Sequence, residues 1–332
     1  MRHYSFPSIE QFRTARRSVQ YKAQFVGLDD LGEPIMNRNA ILPKIKYKGT
    51  VKLHGTNSAI VFSNGSFYCQ SRERIIQPGN DNAGFASFVH SCKDLDILKS
   101  NFGDNVVVYG EWAGKGIQKG VAIAQLEKAM FIFAAQKISE NGEKEEWIDI
   151  KDWKLPCNFY NILDYDTFDI EINFENPEYD INKINEWVLE VENNCPVGRS
   201  FGIDGVGEGI VFKPIDSNYN NSRYWFKAKG DKHSNSKVKK LATIDIAKFE
   251  STQSFVNFAL EEGRMEQGFN WLKENGKEQS EKSTGDFIRW IFNDVQKECL
   301  EEAKESGIEE KDLGKILSTP AKRWFFNRIN KL

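Results

Sequence analysis

The chain reads as an α+β protein: antiparallel sheets with interspersed helices over residues 1–241, then a small all-α domain over residues 242–332. Three observations predict this. From Tyr47 to Lys229 the sequence consists mostly of short β-branched and aromatic runs separated by Gly, Asn and Pro. After about Leu241 the period changes: Phe255, Phe258 and Ala259, then Phe287, Ile288, Ile291 and Val295, recur at helical spacing. Between the strands there are none of the regular long helices that a doubly wound parallel sheet requires.

Taken in order, Ser58 to Ser63 and Ser66 to Ser71 flank the pair Asn64-Gly65. Asn-Gly accepts the positive φ angles of a tight primed turn, so the two runs form a hairpin, and Lys52 stands just before it. Further strands are expected at Val106 to Trp112, Ala129 to Ala135, Glu208 to Lys213 and Tyr224 to Lys229. In the tail, Ser283 is a capping candidate ahead of the Phe287 helix, and a last helix is expected from Pro320 to Ile329, since proline suits a first turn. The polar stretch Glu274 to Ser283 reads as a loop.

With 332 residues, 40% of them apolar, the chain can bury a sizeable core and divide into two domains. Its formal charge of -3 gives no bulk attraction to a polyanion, so nucleic-acid binding has to come from local asymmetry. Between Asn221 and Lys240, Arg223, Lys227, Lys229, Lys232, Lys237, Lys239 and Lys240 face only Asp231. Asp164 to Glu192 has the opposite bias, ten acids against Lys183, and reads as a solvated surface away from any polyanion. The five cysteines are scattered without a C-x-x-C pair, which suggests neither a disulfide framework nor a zinc site. No apolar leader opens the chain and no run reaches bilayer length, so a soluble cytoplasmic protein without a membrane partner is expected.

The chemistry centres on Lys52-Leu53-His54-Gly55-Thr56-Asn57. Lys-x-x-Gly alone carries almost no information, and a turn capped by His54 and Asn57 beside a surface lysine accounts for the string equally well. Two later segments favour chemistry. In Glu208-Gly209-Ile210-Val211-Phe212-Lys213-Pro214, strand alternation sends Glu208, Ile210 and Phe212 to one side and Gly209, Val211 and Lys213 to the other. In Trp225-Phe226-Lys227-Ala228-Lys229, it puts Lys227 and Lys229 on one face, where a phosphate between them would relieve their repulsion.

Lys52-x-His54-Gly55-Thr56-Asn57, Tyr109-Gly110-Glu111-Trp112-Ala113-Gly114-x-Gly116-Ile117-Gln118-Lys119, Glu208-Gly209-x-Val211-x-Lys213-Pro214 and Lys227-x-Lys229 occur in the order seen in covalent nucleotidyltransferases. The chain most resembles the phage RNA ligase 2 family, which includes the trypanosome RNA-editing ligases. The resemblance covers about 180 residues, from Lys52 to Lys229. Its most specific parts are His-Gly-Thr-Asn after the lysine and Gly-x-Gly-Ile-Gln-Lys after the glutamate, because DNA ligases and capping enzymes usually have Asp where His54 stands.

The resemblance implies a nucleotidyltransferase domain and a three-step reaction. Lys52 attacks the α-phosphorus of ATP to form a lysyl-AMP, AMP passes to an RNA 5′-phosphate, and a 3′-hydroxyl displaces AMP to seal the strand. A lysine amine ordinarily titrates near ~10.4, so it must lose its proton before the first step; Lys227, Lys229 and bound Mg²⁺ (or Mn²⁺) are the expected sources of that field. By the family pattern Glu111 holds the AMP ribose, Glu208 binds or positions a metal ion, and Arg72 contacts the nucleotide and the RNA end. A surface ion pair with Glu73 is the other reading of Arg72. Asn57 resembles the asparagine needed in end joining, and His54 organises the same region or has a purely structural turn role.

The adenine slot is assigned to Phe133, which matches the family's stacking aromatic, with Val211 closing the other face. Val51 and Lys213 complete the nucleotide-contacting set. The sequence departs from the pattern at Ala134, where the family commonly has Asp, which puts one polar contact of the site in doubt. An all-helical carboxy-terminal domain is compatible with this family, and Lys322, Arg323 and Arg328 are candidates to track phosphates there. The expected partner is an RNA end in a nicked duplex, and the expected state a monomer, with a viral origin suggested by the resemblance. Two rivals stay open. One is a DNA nick-sealing ligase or GTP-using capping enzyme of the same mechanism. The other is a non-catalytic RNA-end-binding protein that has kept the pocket.

Overall fold

The computed structural model describes residues 1–230 and 252–331. The chain divides into two compact units, Met1–Gly230 and Asp231–Leu332. The boundary expected between residues 241 and 242 lies outside the described residues, as do Lys232, Lys237, Lys239 and Lys240 of the basic run.

Two sheets build the first unit. One has the order β1 (Glu10–Gln11), β14 (Phe226–Lys229), β13 (Gly209–Pro214), β4 (Lys44–Lys52) and β12 (Thr167–Asn173), antiparallel except for the short β1–β14 pair. The other runs β10 (Lys144–Ile148), β9 (Ala129–Ile138), β8 (Val106–Ala113), β5 (Thr56–Ser63), β6 (Ser66–Ser71) and β7 (Ile75–Ile76), with β11 (Phe159–Asn161) also paired to β9. A separate hairpin joins β2 (Phe25–Leu28) to β3 (Pro34–Met36). The expected β5–β6 hairpin forms on Asn64 and Gly65, at φ 51° and 74°, as a two-residue primed turn requires.

Helices cover the outer face of the first sheet. The helix α1 (Phe12–Gln24) buries Phe12, Ala15 and Val19, and the Phe12 ring packs on Phe174 and Phe226 at 5.9 and 5.1 Å. The acidic stretch that reads as a solvated surface contains β12 and the amphipathic helix α4 (Glu178–Asn193), with one face buried. Ile181, Ile184, Val188 and Val191 repeat at helical spacing and are buried against the sheet, while Glu178, Glu186 and Glu190 face water. Two short helices, α2 (Phe85–Ser91) and α3 (Leu95–Lys99), cover one face of the second sheet, over Ile60, Phe62, Val106, Val108, Trp112 and Ile132. The five-residue α5 (Pro196–Ser200) follows α4.

The second unit is helical among the described residues: α6 (Thr252–Ala259), α7 (Glu262–Glu274), α8 (Thr284–Glu305) and α9 (Glu310–Ile329). Phe287, Ile291 and Val295 are buried with Phe269, Leu313, Leu317, Ala321 and Phe325. Two local expectations are corrected. Ser283 stands at the N-cap of α8 but does not cap it, since its hydroxyl donates to the Glu278 carbonyl at 2.6 Å. The last helix starts ten residues before Pro320, which lies inside it. An interior proline costs a helix ~3 kcal/mol, but Leu313, Leu317, Ala321 and Phe325 form one buried stripe across it, and that burial offsets the loss. No described helix is long and apolar enough to cross a membrane.

Candidate functional site

Strand register gathers the site. Gly209 lies opposite Lys52 on one side and opposite Lys229 on the other, so the two lysines flank it in one row across β4, β13 and β14, each at the end of its strand. Gly209 has φ +152°, and a Cβ there would come within 2.1 Å of the Ala228 carbonyl oxygen. Only glycine permits this approach. Alternation would send Glu208 to the opposite face with Ile210 and Phe212, but it stands just before β13, and the Gly209 backbone breaks the alternation. Glu208 is 2% exposed and turns its carboxylate to both lysines: Lys52 Nζ donates to Oε2 at 2.6 Å, and Lys229 Nζ lies 3.0 Å from Oε1. The His54 Nδ1 is 3.7 Å from Oε2. Burial opposes the charge on Glu208, but Lys52, Lys229 and His54 outweigh it and hold the carboxyl well below the usual range.

A second set lies on the facing side of the other sheet. Asn57 and Glu111 are cross-strand partners, and Glu111 Oε1 accepts the Gly55 N–H at 2.8 Å. Gly55 lies so near β8 that a Cβ would meet the Trp112 carbonyl oxygen at 2.4 Å. Gln118 Nε2 donates to the Gly55 carbonyl at 3.2 Å, tying the glycine-rich loop after β8 to the turn that follows Lys52. Gln118 was quoted in its motif but given no role by sequence reasoning.

Phe133 is the extra residue of a bulge in β9: Tyr109 pairs with Ala134 and Gly110 with Ile132, leaving Phe133 without a partner in the register. The bulge turns Phe133 and Ala134 to the same side, into a cluster with Tyr4, Phe6, Ala59, Val61, Tyr109 and Trp147. The half-buried Phe133 ring meets the Phe6 ring edge-on at 5.0 Å. Ala134 is buried there, and the nearby Tyr109 hydroxyl has no hydrogen-bond partner among the described residues.

Lys213 joins the two sheets, donating from Nζ to the Phe133 carbonyl at 2.8 Å and lying 4.6 Å from the centre of the Trp225 ring. Burial brings its ammonium down to about 7. Val211 and Lys227 are register partners and so share a face with Lys213, Gly209 and Lys229.

Two expected members lie apart from the cluster. Val51 alternates with Lys52, so its side chain turns to the opposite face and into the core. Only its backbone faces the lysine side. Arg72, just beyond β6, is 56% exposed, with Nε 3.7 Å from Glu73 Oε1. Of the candidates in the tail, Arg328 is engaged with Glu266 at 2.5 Å. Phe6 and Trp225, which wall the Phe133 cluster, were missed. Phe6 has no local pattern to mark it, being 127 positions before Phe133.

Among the described residues, no group of three or more His, Cys, Asp and Glu is placed to hold a metal ion. Among the described residues, the carboxylate held between Lys52 and Lys229 is that of Glu208. That does not fit an all-protein cage, but it does fit a magnesium-like ion that keeps waters and substrate phosphates in its shell. The whole arrangement can bind a nucleotide phosphate against several cations and present one amine to it.

The model of a family described as RNA ligase matches residues 45–229, more than half of the chain. Among solved structures, Naegleria gruberi RNA ligase with PPi is 13% identical, at a TM-score of 0.45, and the match covers 69% of this chain and 56% of that one. A mutant of the same ligase with ATP and Mn is 12% identical at 0.43, over the same shares. The chain thus spans little more than half the length of these structures.

Proposed function

Since the chain belongs to the RNA ligase family, we propose that it joins a 3′-hydroxyl to a 5′-phosphate RNA end with ATP, through AMP carried on Lys52, and that its substrate is a nick in duplex RNA. The observation that carries this reading is the pair of short contacts from one buried carboxylate, Glu208, to Lys52 and Lys229 at 2.6 and 3.0 Å. A lysine held this way is fixed in position at the end of a strand, with a second cation beside it.

In the first step the N–P bond forms between Lys52 Nζ and the α-phosphorus while the bond to pyrophosphate breaks. Lys52 must first give up its proton. That proton passes to solvent, while Lys229, 3.0 Å from the same carboxylate, stays as the second cation beside the site. A divalent ion bound at Glu208 would supply charge beside the phosphate oxygens. Lys227, Lys229 and Lys213, along one face of β13 and β14, offset the negative charge that spreads over those oxygens during in-line displacement. Glu111 and Phe133 are proposed to hold the ribose and the base, with Val211 and the Val51 backbone beside them. Asn57, His54 and Arg72 are assigned to the RNA end.

The test is mass spectrometry of the purified chain after exposure to ATP and Mg²⁺. One added AMP, mapped to the peptide containing Lys52, is expected, with sealing of nicked duplex RNA in preference to nicked DNA. GTP should give no adduct. RNA binding with no adduct under any condition would leave a non-catalytic end-binding protein as the reading.

A further inference from the structure

Away from the lysine cluster, α1 and the turn Ser222–Tyr224 flank an open groove of about 480 Å³. Arg17, Lys22 and Arg223 line it together with Tyr21, Phe25 and Tyr224, and among the described residues none of those lining it is acidic. The helix behind it is strongly one-signed. Over Phe12–Gln24 it carries Arg13, Arg16, Arg17 and Lys22 with no Asp or Glu, in a chain whose net charge is -3. This concentrates positive potential at one concave place.

The groove also has apolar faces. The Tyr21 and Phe25 rings stack at 5.6 Å with 24° between their planes, and both stay partly exposed, so the outer side of the stack is open to solvent. The Lys22 ammonium is anchored. It donates to the Asn218 carbonyl and lies 4.2 Å from the centre of the Tyr219 ring and 5.7 Å from that of Tyr224, which pins α1 to the loop before β14. Arg17 and Arg223 are exposed and line the same groove. Exposed cations beside a flat aromatic platform, in a groove, are the combination that binds a single nucleic-acid strand without regard to sequence: phosphates on the cations, a base on the rings.

The groove shares no lining residue with the Lys52 cluster. Arg223 and Tyr224 precede β14, whose first residue, Phe226, is three positions from Lys229, about 10 Å along the strand. α1 packs on the side of the sheet that carries Phe226 and Phe174, opposite the lysine face.

We propose that this groove is a second RNA contact, holding a single-stranded stretch that flanks the nicked duplex, with its phosphates on Arg17 and Arg223 and a base against Tyr21 and Phe25. Only the choice of RNA over another single strand rests on the RNA-joining reading.

The full chain is titrated with a fluorescein-labelled oligouridylate of about ten nucleotides, within the usual span of such sites, and anisotropy is read at several salt concentrations. The double variant Arg17→Ala/Arg223→Ala should bind about tenfold more weakly, and the slope of log affinity against log salt should fall by about 1.4, two phosphates at about 0.7 each. Tyr21→Ala should bind several-fold more weakly with its salt slope kept. All these side chains are at the surface, so circular dichroism and thermal midpoints should match the parent protein. Affinity and slope unchanged in the double variant, or no binding of the oligonucleotide by the parent chain, overturns the proposal. AMP attachment to Lys52 is measured in parallel. RNA binding that shows these losses in a chain that takes up no AMP upholds the groove and refutes the ligase reading, while normal AMP uptake with insensitive RNA binding does the reverse.

Discussion

Lys52 and Glu208, 156 positions apart in the chain, meet at 2.6 Å because β13 pairs with β4 in a register that sets Gly209 opposite Lys52. The contact gives Lys52 a structural role beside its proposed chemical one. Glu208 is 2% exposed and Lys52 24%, so removing the amine strips a buried carboxylate of one of its two lysine partners.

Lys52→Ala should therefore abolish AMP attachment and also lower stability, by about 1–3 kcal/mol, the usual cost of leaving a buried charged acceptor short of a donor. This differs from the small effect expected for a surface lysine. Urea denaturation measures it. The double variant Lys52→Met/Glu208→Gln should lose less than the sum of the single variants, and strict additivity would count against the coupling.

Gly209→Ala should be among the most damaging small substitutions in the chain. Its backbone lies at φ +152° and the new Cβ would stand 2.1 Å from a carbonyl oxygen, so β13 and β14 have to part. A loss of more than about 1 kcal/mol and weak AMP labelling are expected. A thermal midpoint equal to that of the parent would contradict the close approach.

Lys213 gives a pH dependence with a definite sign. Burial lowers its pKa from 10.5 to about 7, so between those values the unfolded chain binds more protons at this residue than the folded one. Stability from this group then rises as pH increases from about 7 toward 10.5, and the penalty is fully present below 7. In thermal midpoints of the parent and of Lys213→Met, compared from pH 7 to pH 10, the difference should shift in the parent's favour as pH rises. A constant difference would show that the group does not titrate in that window.

Ala134→Asp would restore the residue that the resembled family commonly carries, into a site that is 5% exposed and packed among aromatic rings. A buried polar group costs about 1–3 kcal/mol unless it is bonded, and the Tyr109 hydroxyl is the nearby candidate donor. The variant should be destabilised at neutral pH and recover partly in acid, because burial raises the carboxyl's folded pKa and protonation relieves the penalty. Equal destabilisation at pH 4 and pH 7 would show that the carboxylate escapes to solvent.

Arg72→Ala should leave stability within about 0.5 kcal/mol, since its 3.7 Å pair with Glu73 is exposed on both sides. Sealing of RNA ends should fall sharply. Unimpaired sealing would favour the ion-pair reading of Arg72.

The sequence alone settled those features that short-range physics dictates. Asn64-Gly65 fixed a hairpin because the turn needs two positive φ angles, and alternation put Lys227 and Lys229 on one face. The period change marked the helices of the tail through Phe287, Ile291 and Val295. Motif order alone singles out Lys52, Glu111 and Glu208 as candidates.

Only the tertiary structure decided what depends on pairing between distant segments. The Lys52–Glu208–Lys229 contact needs the β4–β13–β14 register, and no local pattern records which strands pair. Phe133 faces Phe6 because an extra residue bulges out of β9, shifting an alternation that would otherwise have set its direction. Pro320 sits inside a helix because the buried stripe from Leu313 to Phe325 outweighs its local penalty. In each case long-range burial and strand register override a preference of a few residues, so the side chains gathered at the site are fixed by the whole fold.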